Sequence, residues 1–131
     1  MGKADPRGLT LDSGGLIAFE ARDRRVNALI QQAKDLGRRI VIPANVVAQV
    51  WRGAGPRQAR LAALLGSKAV SVQDFTHALA RVAGELCARS GTTDIVDASV
   101  VVAAWSNGRT VVTSDPEDLL RLDPTLVLLR V

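Results

Sequence analysis

Tyrosine is absent from this 131-residue chain, and aromatic residues make up 3% of it. Recognition of single strands by stacking bases on an aromatic platform therefore has almost no material here. A single cysteine, Cys87, excludes an intrachain disulfide, and a single histidine, His77, leaves no imidazole pair for a zinc site. No apolar run approaches the roughly 18 residues of a membrane span, because Gly, Ser, Asp or Arg interrupts each one. Nothing at the N-terminus has the apolar core of a signal peptide. These absences together set the expectation of a soluble protein in a reduced, cytoplasmic setting.

What the chain does have is 47% hydrophobic content, enough over this length for one compact domain spanning residues 1–131. The formal charge is +4 and the pI about 10.2, a balance that favours polyanionic partners. With no aromatic platform, phosphate contacts would carry that affinity.

Short β-rich runs alternate with longer stretches of helical periodicity. Strands are expected at Leu9 to Leu11, Arg39 to Ile42, Ala69 to Val72, Thr110 to Thr113 and Leu126 to Leu129. Each is mostly apolar, as strands covered on both faces should be. Helices are expected at Arg24 to Leu36, Ala44 to Arg52, Arg57 to Leu65, Phe75 to Arg89, Ile95 to Trp105 and Pro116 to Leu120. In the fourth, Leu79, Val82, Ala83 and Leu86 form one apolar face. Gly37, Gly66, Gly91 and Gly108 mark helix exits. The fold class is α/β, with about five parallel strands.

Four acidic positions carry the chemistry. Asp12 sits in Leu-Asp-Ser-Gly-Gly, Asp94 and Asp97 in Thr-Thr-Asp-Ile-Val-Asp-Ala-Ser, and Asp115 in Val-Val-Thr-Ser-Asp-Pro-Glu-Asp. Asp12 and Asp115 follow strands, at the end of an open parallel sheet where ligands bind. Asp94 and Asp97, three apart, share a helix face. Each also has a plain structural role available: Asp94 and Asp115 as helix caps, and Asp12 closing a turn made by Ser13, Gly14 and Gly15. Brought together, the carboxylates would repel and raise one another's pKa unless a cation neutralised them. An all-oxygen donor set selects Mg²⁺ or Mn²⁺ rather than zinc. Such an ion can activate a water and stabilise a leaving oxygen, the chemistry of a phosphodiesterase. Ser13, Thr113 and Ser114 are candidates to support the carboxylates.

With these positions in place, the chain resembles the PIN-domain proteins, and within them VapC-type toxins of bacterial toxin-antitoxin pairs. Leu11-Asp12-Ser13 is similar to the family's first motif, Asp97-Ala98-Ser99-Val100-Val101 to its central helix, and Val112 to Leu119 to its last acidic motif. The resemblance implies a three-layer α/β/α fold and a Mg²⁺- or Mn²⁺-dependent ribonuclease, with Asp12, Asp97 and Asp115 catalytic and Asp94 joining them as metal ligands. It also implies a homodimer inhibited by a cognate VapB-type antitoxin. One departure stands out: the family usually has Glu in its second motif, and the matching segment Pro43 to Arg52 carries Gln49. That neutral amide lowers the expected metal affinity. The alternative is therefore a weakened or inactive PIN-like protein that binds RNA or antitoxin.

Other residues are weighed the same way. Asp118 reads as a solvated first-turn carboxylate, Arg60 and Lys68 as solvated helix positions, and Arg52 as evenly balanced between phosphate contact and solvent. Trp51 and Trp105 read as core or interface, His77 as surface, and Cys87 as a small buried hydrophobe. A rival class, phosphoryl transfer through an acyl-phosphate on Asp12, lacks the second Asp and the strand-end Lys that its known forms require.

Overall fold

The structure, a computed structural model, describes residues 8–106 and 110–131. The expected helix exit at Gly108 lies outside them. Five strands form one sheet: β1 (Leu9–Leu11), β2 (Ile40–Pro43), β3 (Val70–Gln73), β4 (Thr110–Thr113) and β5 (Val127–Arg130). All neighbouring pairs are parallel and the order is β3-β2-β1-β4-β5. The chain therefore walks outward from β1 through β2 to β3, then returns to β1's other side for β4 and β5. That reversal opens a crevice beyond the carboxyl ends of β1 and β4, where adjacent connections leave in opposite directions.

Seven helices complete the described residues: α1 (Ser13–Glu20), α2 (Arg24–Asp35), α3 (Ala44–Val50), α4 (Pro56–Leu65), α5 (His77–Ser90), α6 (Ile95–Ser106) and α7 (Pro116–Leu122). They make a three-layer α/β/α arrangement, with α6 lying on β1, β2 and β4 between α5 and α7, and α1 lying on β4 with α2 and α4 beside it. α6 is almost wholly apolar from Ala98 to Ala104, and all seven of those residues are buried. β1, β2 and β4 are buried at every position, while the edge strands β3 and β5 are only partly so. Leu11, Ile42, Val101 and Val112 are fully enclosed, each worth about 2 kcal/mol of transfer from water. No described helix is long and apolar enough to cross a membrane.

Three expectations need correction. The Ser13-Gly14-Gly15 turn is instead the first turn of α1, where the two glycines lie against the end of β4. Val82 is 40% exposed, so the core face of α5 rests on Ala83 and Leu86. Of the helix exits, Gly37 (φ 66) and Gly91 (φ 70) take the left-handed conformation, but Gly66 does not, its φ being −85.

Candidate functional site

β1 delivers Asp12 to the crevice and α1 fixes it there. Its backbone is extended, and its Oδ1 accepts the Gly15 amide at 2.8 Å, so it is the helix N-cap. Gly14 and Gly15 allow this placement. A Cβ on Gly14 would lie 2.9 Å from the Ser114 nitrogen, and one on Gly15 would lie 2.8 Å from the Val112 carbonyl oxygen. The start of α1 thus rests on the end of β4, Gly15 against the Val112 carbonyl and Gly14 against Ser114, side chain and backbone both, and the Asp12 amide donates to Val112 O at 3.3 Å.

β4 delivers Asp115. It occupies the N-cap position of α7, yet its side chain makes no capping bond, so capping does not account for it. Thr113 ties the two loops together: fully buried, it accepts the Asp115 amide at 3.0 Å on Oγ1, and its hydroxyl also hydrogen-bonds the Asp12 carboxylate. Asp94 caps α6, accepting the Asp97 amide at 3.0 Å. Asp97, in the first turn of α6, is half-buried.

The electrostatics join these positions into one cluster. Burial pushes Asp12 above the usual carboxylate range; Thr113 and the Gly15 and Gly14 amides oppose the rise, and Asp115 adds to it. Asp97 is pushed up to about 7, first by burial, then by the charges of Asp94 and Asp118, a hydrogen bond with Asp94, and the charge of Asp12. Asp115 is raised chiefly by a hydrogen bond with Asp118, then by partial desolvation and the charges of Asp118 and Glu117. Asp118 keeps its expected first-turn place with a side chain 44% exposed, and its charge adds a fifth to the cluster. It lines a small cleft of about 80 Å³ with Thr92, Asp94, Asp97 and Arg121, and it carries a 3.6 Å ion pair to Arg121. Cys87 lies beneath; burial first, then Asp94 and Asp97, push its thiol up.

A hard divalent cation fits this donor set in kind, since every donor is a carboxylate and each charge raises its neighbours. Their arrangement is looser than a closed ligand cage, so an ion would be held by fewer carboxylates at once. Among the described residues no three of His, Cys, Asp or Glu converge as the ligands of one ion. By hydrogen bonding the acids meet as pairs, Asp94 with Asp97 and Asp115 with Asp118, and Asp12 gives one oxygen to Gly15, while the charges of Asp94, Asp118 and Asp12 all reach Asp97. Gln49 is exposed on α3.

Sequence reasoning missed a second buried polar group. Glu20, the last residue of α1, is 7% exposed and accepts from Gln58 Nε2 at 2.9 Å. Gln58 Oε1 accepts the Arg52 and Gly53 amides, and Arg60, expected in solvent, is half-buried and donates to the Glu20 carbonyl. One signal was available. Gln58 falls at helical spacing with Leu61 and Leu65 and so lies on the apolar face of α4. Arg52 turns back to the Trp51 and Ala48 carbonyls, at 2.7 and 3.3 Å, and closes the end of α3. Trp51 and Trp105 are 41% and 39% exposed, and Trp105 Nε1 donates to Asp123 at 2.7 Å.

A parallel sheet in this order, with acids gathered where its connections diverge, defines the class: an α/β/α sandwich with an acidic crevice at its switch point. The particular family follows from the sequence itself, because the profile of the PIN domain matches residues 9–123. The chain belongs to the PIN-domain family. Among solved structures, VapBC2 from Rickettsia felis, bound to a DNA fragment from their promoter, matches with a TM-score of 0.69 and 15% sequence identity. The match covers 94% of this chain and 98% of that one, and at such identity it shows the fold alone. No curated protein matches the sequence.

Proposed function

We propose that this chain is a VapC-like PIN protein whose acidic end engages RNA and a VapB-type antitoxin, and that it hydrolyses phosphodiester bonds only weakly. Mg²⁺ or Mn²⁺ would be held at low affinity by Asp12, Asp94, Asp97 and Asp115. The observation that carries the reading is the arrangement of the acids in pairs, with no three converging among the described residues. The neutral Gln49, where the family resemblance implies Glu, deepens the deficit.

When bound, the ion would supply an activated water and neutralise charge on the phosphate. The chain's own residues do the rest. Thr113 holds Asp12 and the Asp115 backbone in one frame. Asp97, raised to about 7, takes up a proton near neutrality when no cation is present, so a cation must displace that proton. The positive chain offsets repulsion between the carboxylates and a polyanion. A cytoplasmic homodimer completes the proposal.

The test is a Mn²⁺ titration of wild type beside Gln49→Glu, read by calorimetry and by cleavage of a labelled structured RNA. The Glu variant is expected to bind Mn²⁺ at least ~10-fold tighter, because one more anionic ligand joins the set, and to cleave faster. Unchanged affinity would remove Gln49 from the site, and full-rate cleavage by wild type at micromolar Mn²⁺ would overturn the weakened reading. A second reading, a fully competent ribonuclease, is favoured by the five carboxylates at the switch point. It requires EDTA-sensitive wild-type cleavage that Asp12→Asn and Asp97→Asn both abolish.

A further inference from the structure

The last strand of the sheet has a bare face. Parallel strands are ordinarily covered by helices on both sides. Val127 and Leu129, which share a face of β5 by strand alternation, are nevertheless 52% and 37% exposed. Leu128, pointing the other way, packs against the core. α2 runs beside the uncovered side without closing over it, leaving an open groove of about 530 Å³. Its floor is apolar, made by Ala28, Leu29, Leu129 and Val131, and Arg25 and Arg130 stand at its rim.

We propose that this groove seats an amphipathic helix of a partner protein, apolar on the side facing β5 and carrying Asp or Glu along its flanks. A helix is what a parallel sheet places on such a face, and an apolar stripe at i, i+3, i+4 and i+7 spacing matches the aliphatic floor. The rim decides the charge. It offers the Arg25 guanidinium beside Gln32, with Arg130 leaving β5 on the Leu128 face at the strand's free edge, and among the described residues no acidic residue lines the groove. Arg130 reaches Glu117 of α7 at 3.4 Å, with both side chains about two-thirds exposed, a pair weak enough for the fork to swing round the free edge of β5 to another carboxylate. A second copy fits poorly, because a two-fold contact would bring the arginine rims of two chains of charge +4 together. Nucleic acid would satisfy the arginines and leave the aliphatic floor uncovered. The inference stands apart from RNA cleavage.

The probes are two synthetic helical peptides of about 18 residues with the same leucine stripe, one flanked by Glu and one by Lys. Binding to the full chain is read by fluorescence anisotropy. The Glu-flanked peptide is expected to bind, with the Lys-flanked one at least ~10-fold weaker. Ala28→Glu, at an exposed position of α2 that tolerates the change, should weaken the Glu-flanked peptide at least ~10-fold, and Arg25→Glu should shift preference toward the Lys-flanked one. Equal binding of both peptides, no binding of either, or indifference to Ala28→Glu overturns the proposal. So does a wild-type dimer in sedimentation that Ala28→Glu dissolves, which would identify the occupant as a second copy. Displacement of the Glu-flanked peptide by a single-stranded RNA oligonucleotide would identify it as nucleic acid.

Discussion

Asp12 and Glu20 lie at opposite ends of α1 and are buried to nearly the same degree, 8% and 7% exposed, yet their surroundings differ in kind. Asp12 sits at the positive end of the helix dipole, where a carboxylate is welcome, but it faces the charge of Asp115 and adds its own to Asp97. Glu20 sits at the negative end, where a carboxylate is unwelcome, and is met by the Gln58 amide, with Arg60 bound to its carbonyl. Burial of an acid therefore does not identify a site. What separates the two is the neighbours: donors around Glu20 make it structural, and further acids around Asp12 leave charge that only a proton or a cation can settle.

The largest effect should come from breaking the structural end. Gln58→Ala removes the partner of Glu20 and of the Arg52 and Gly53 amides at once. It is expected to cost about 3 kcal/mol in urea denaturation. A loss below about 1 kcal/mol would mean that water replaces the glutamine easily and that Glu20 is not dependent on it. Next is the spacing at the acidic end. Gly15→Ala drives a methyl against the Val112 carbonyl and should cost about 2 kcal/mol net of its better helix propensity. A neutral melt would show that α1 can slide.

The smallest effect has the opposite sign. In EDTA, Asp97→Asn should stabilise the protein at pH 8 by roughly 1 kcal/mol, discounted because the side chain is only half-buried. The folded value of about 7 lies above the ordinary 3.8, so the folded state keeps a proton that the unfolded chain has released. Stability from that proton is full below pH 3.8 and is lost as pH rises through 7. Wild type should therefore melt lower at pH 8 than at pH 5, and the variant should flatten that slope. Equal slopes would dissolve the contrast between the two carboxylates.

Much of the fold was legible in the sequence. Leu9–Leu11 and Thr110–Thr113 are strands as expected, and β2, β3 and β5 each lie one residue later than the apolar pattern suggested. Hydrophobic periodicity reports burial, and burial does not stop where the ladder stops. α1 was hidden because its opening Ser13-Gly14-Gly15 has the composition of a turn, and those glycines answer to contact with β4 rather than to local preference. The acids were legible as residues because chain order put them after strands. That Asp94 caps α6 while Asp115 leaves its cap position unused depends on rotamers, which no spacing encodes. Arg60 read as solvated and Gln58 drew no notice because their partners, Glu20 and the 52–53 backbone, come from other elements.

Where Gly15 meets the Val112 carbonyl, main chain lies against main chain, and at Gly14 the small Ser114 side chain is the nearest neighbour. The gap separating the Asp12 and Asp115 loops is consequently for the most part a main-chain dimension, unlike a gap lined by leucines, which breathes with every rotamer change. Drift in the apolar layers can refill the interior without re-gauging the crevice. Widening it to suit a larger cation would have to begin at Gly14 or Gly15, one methyl at a time.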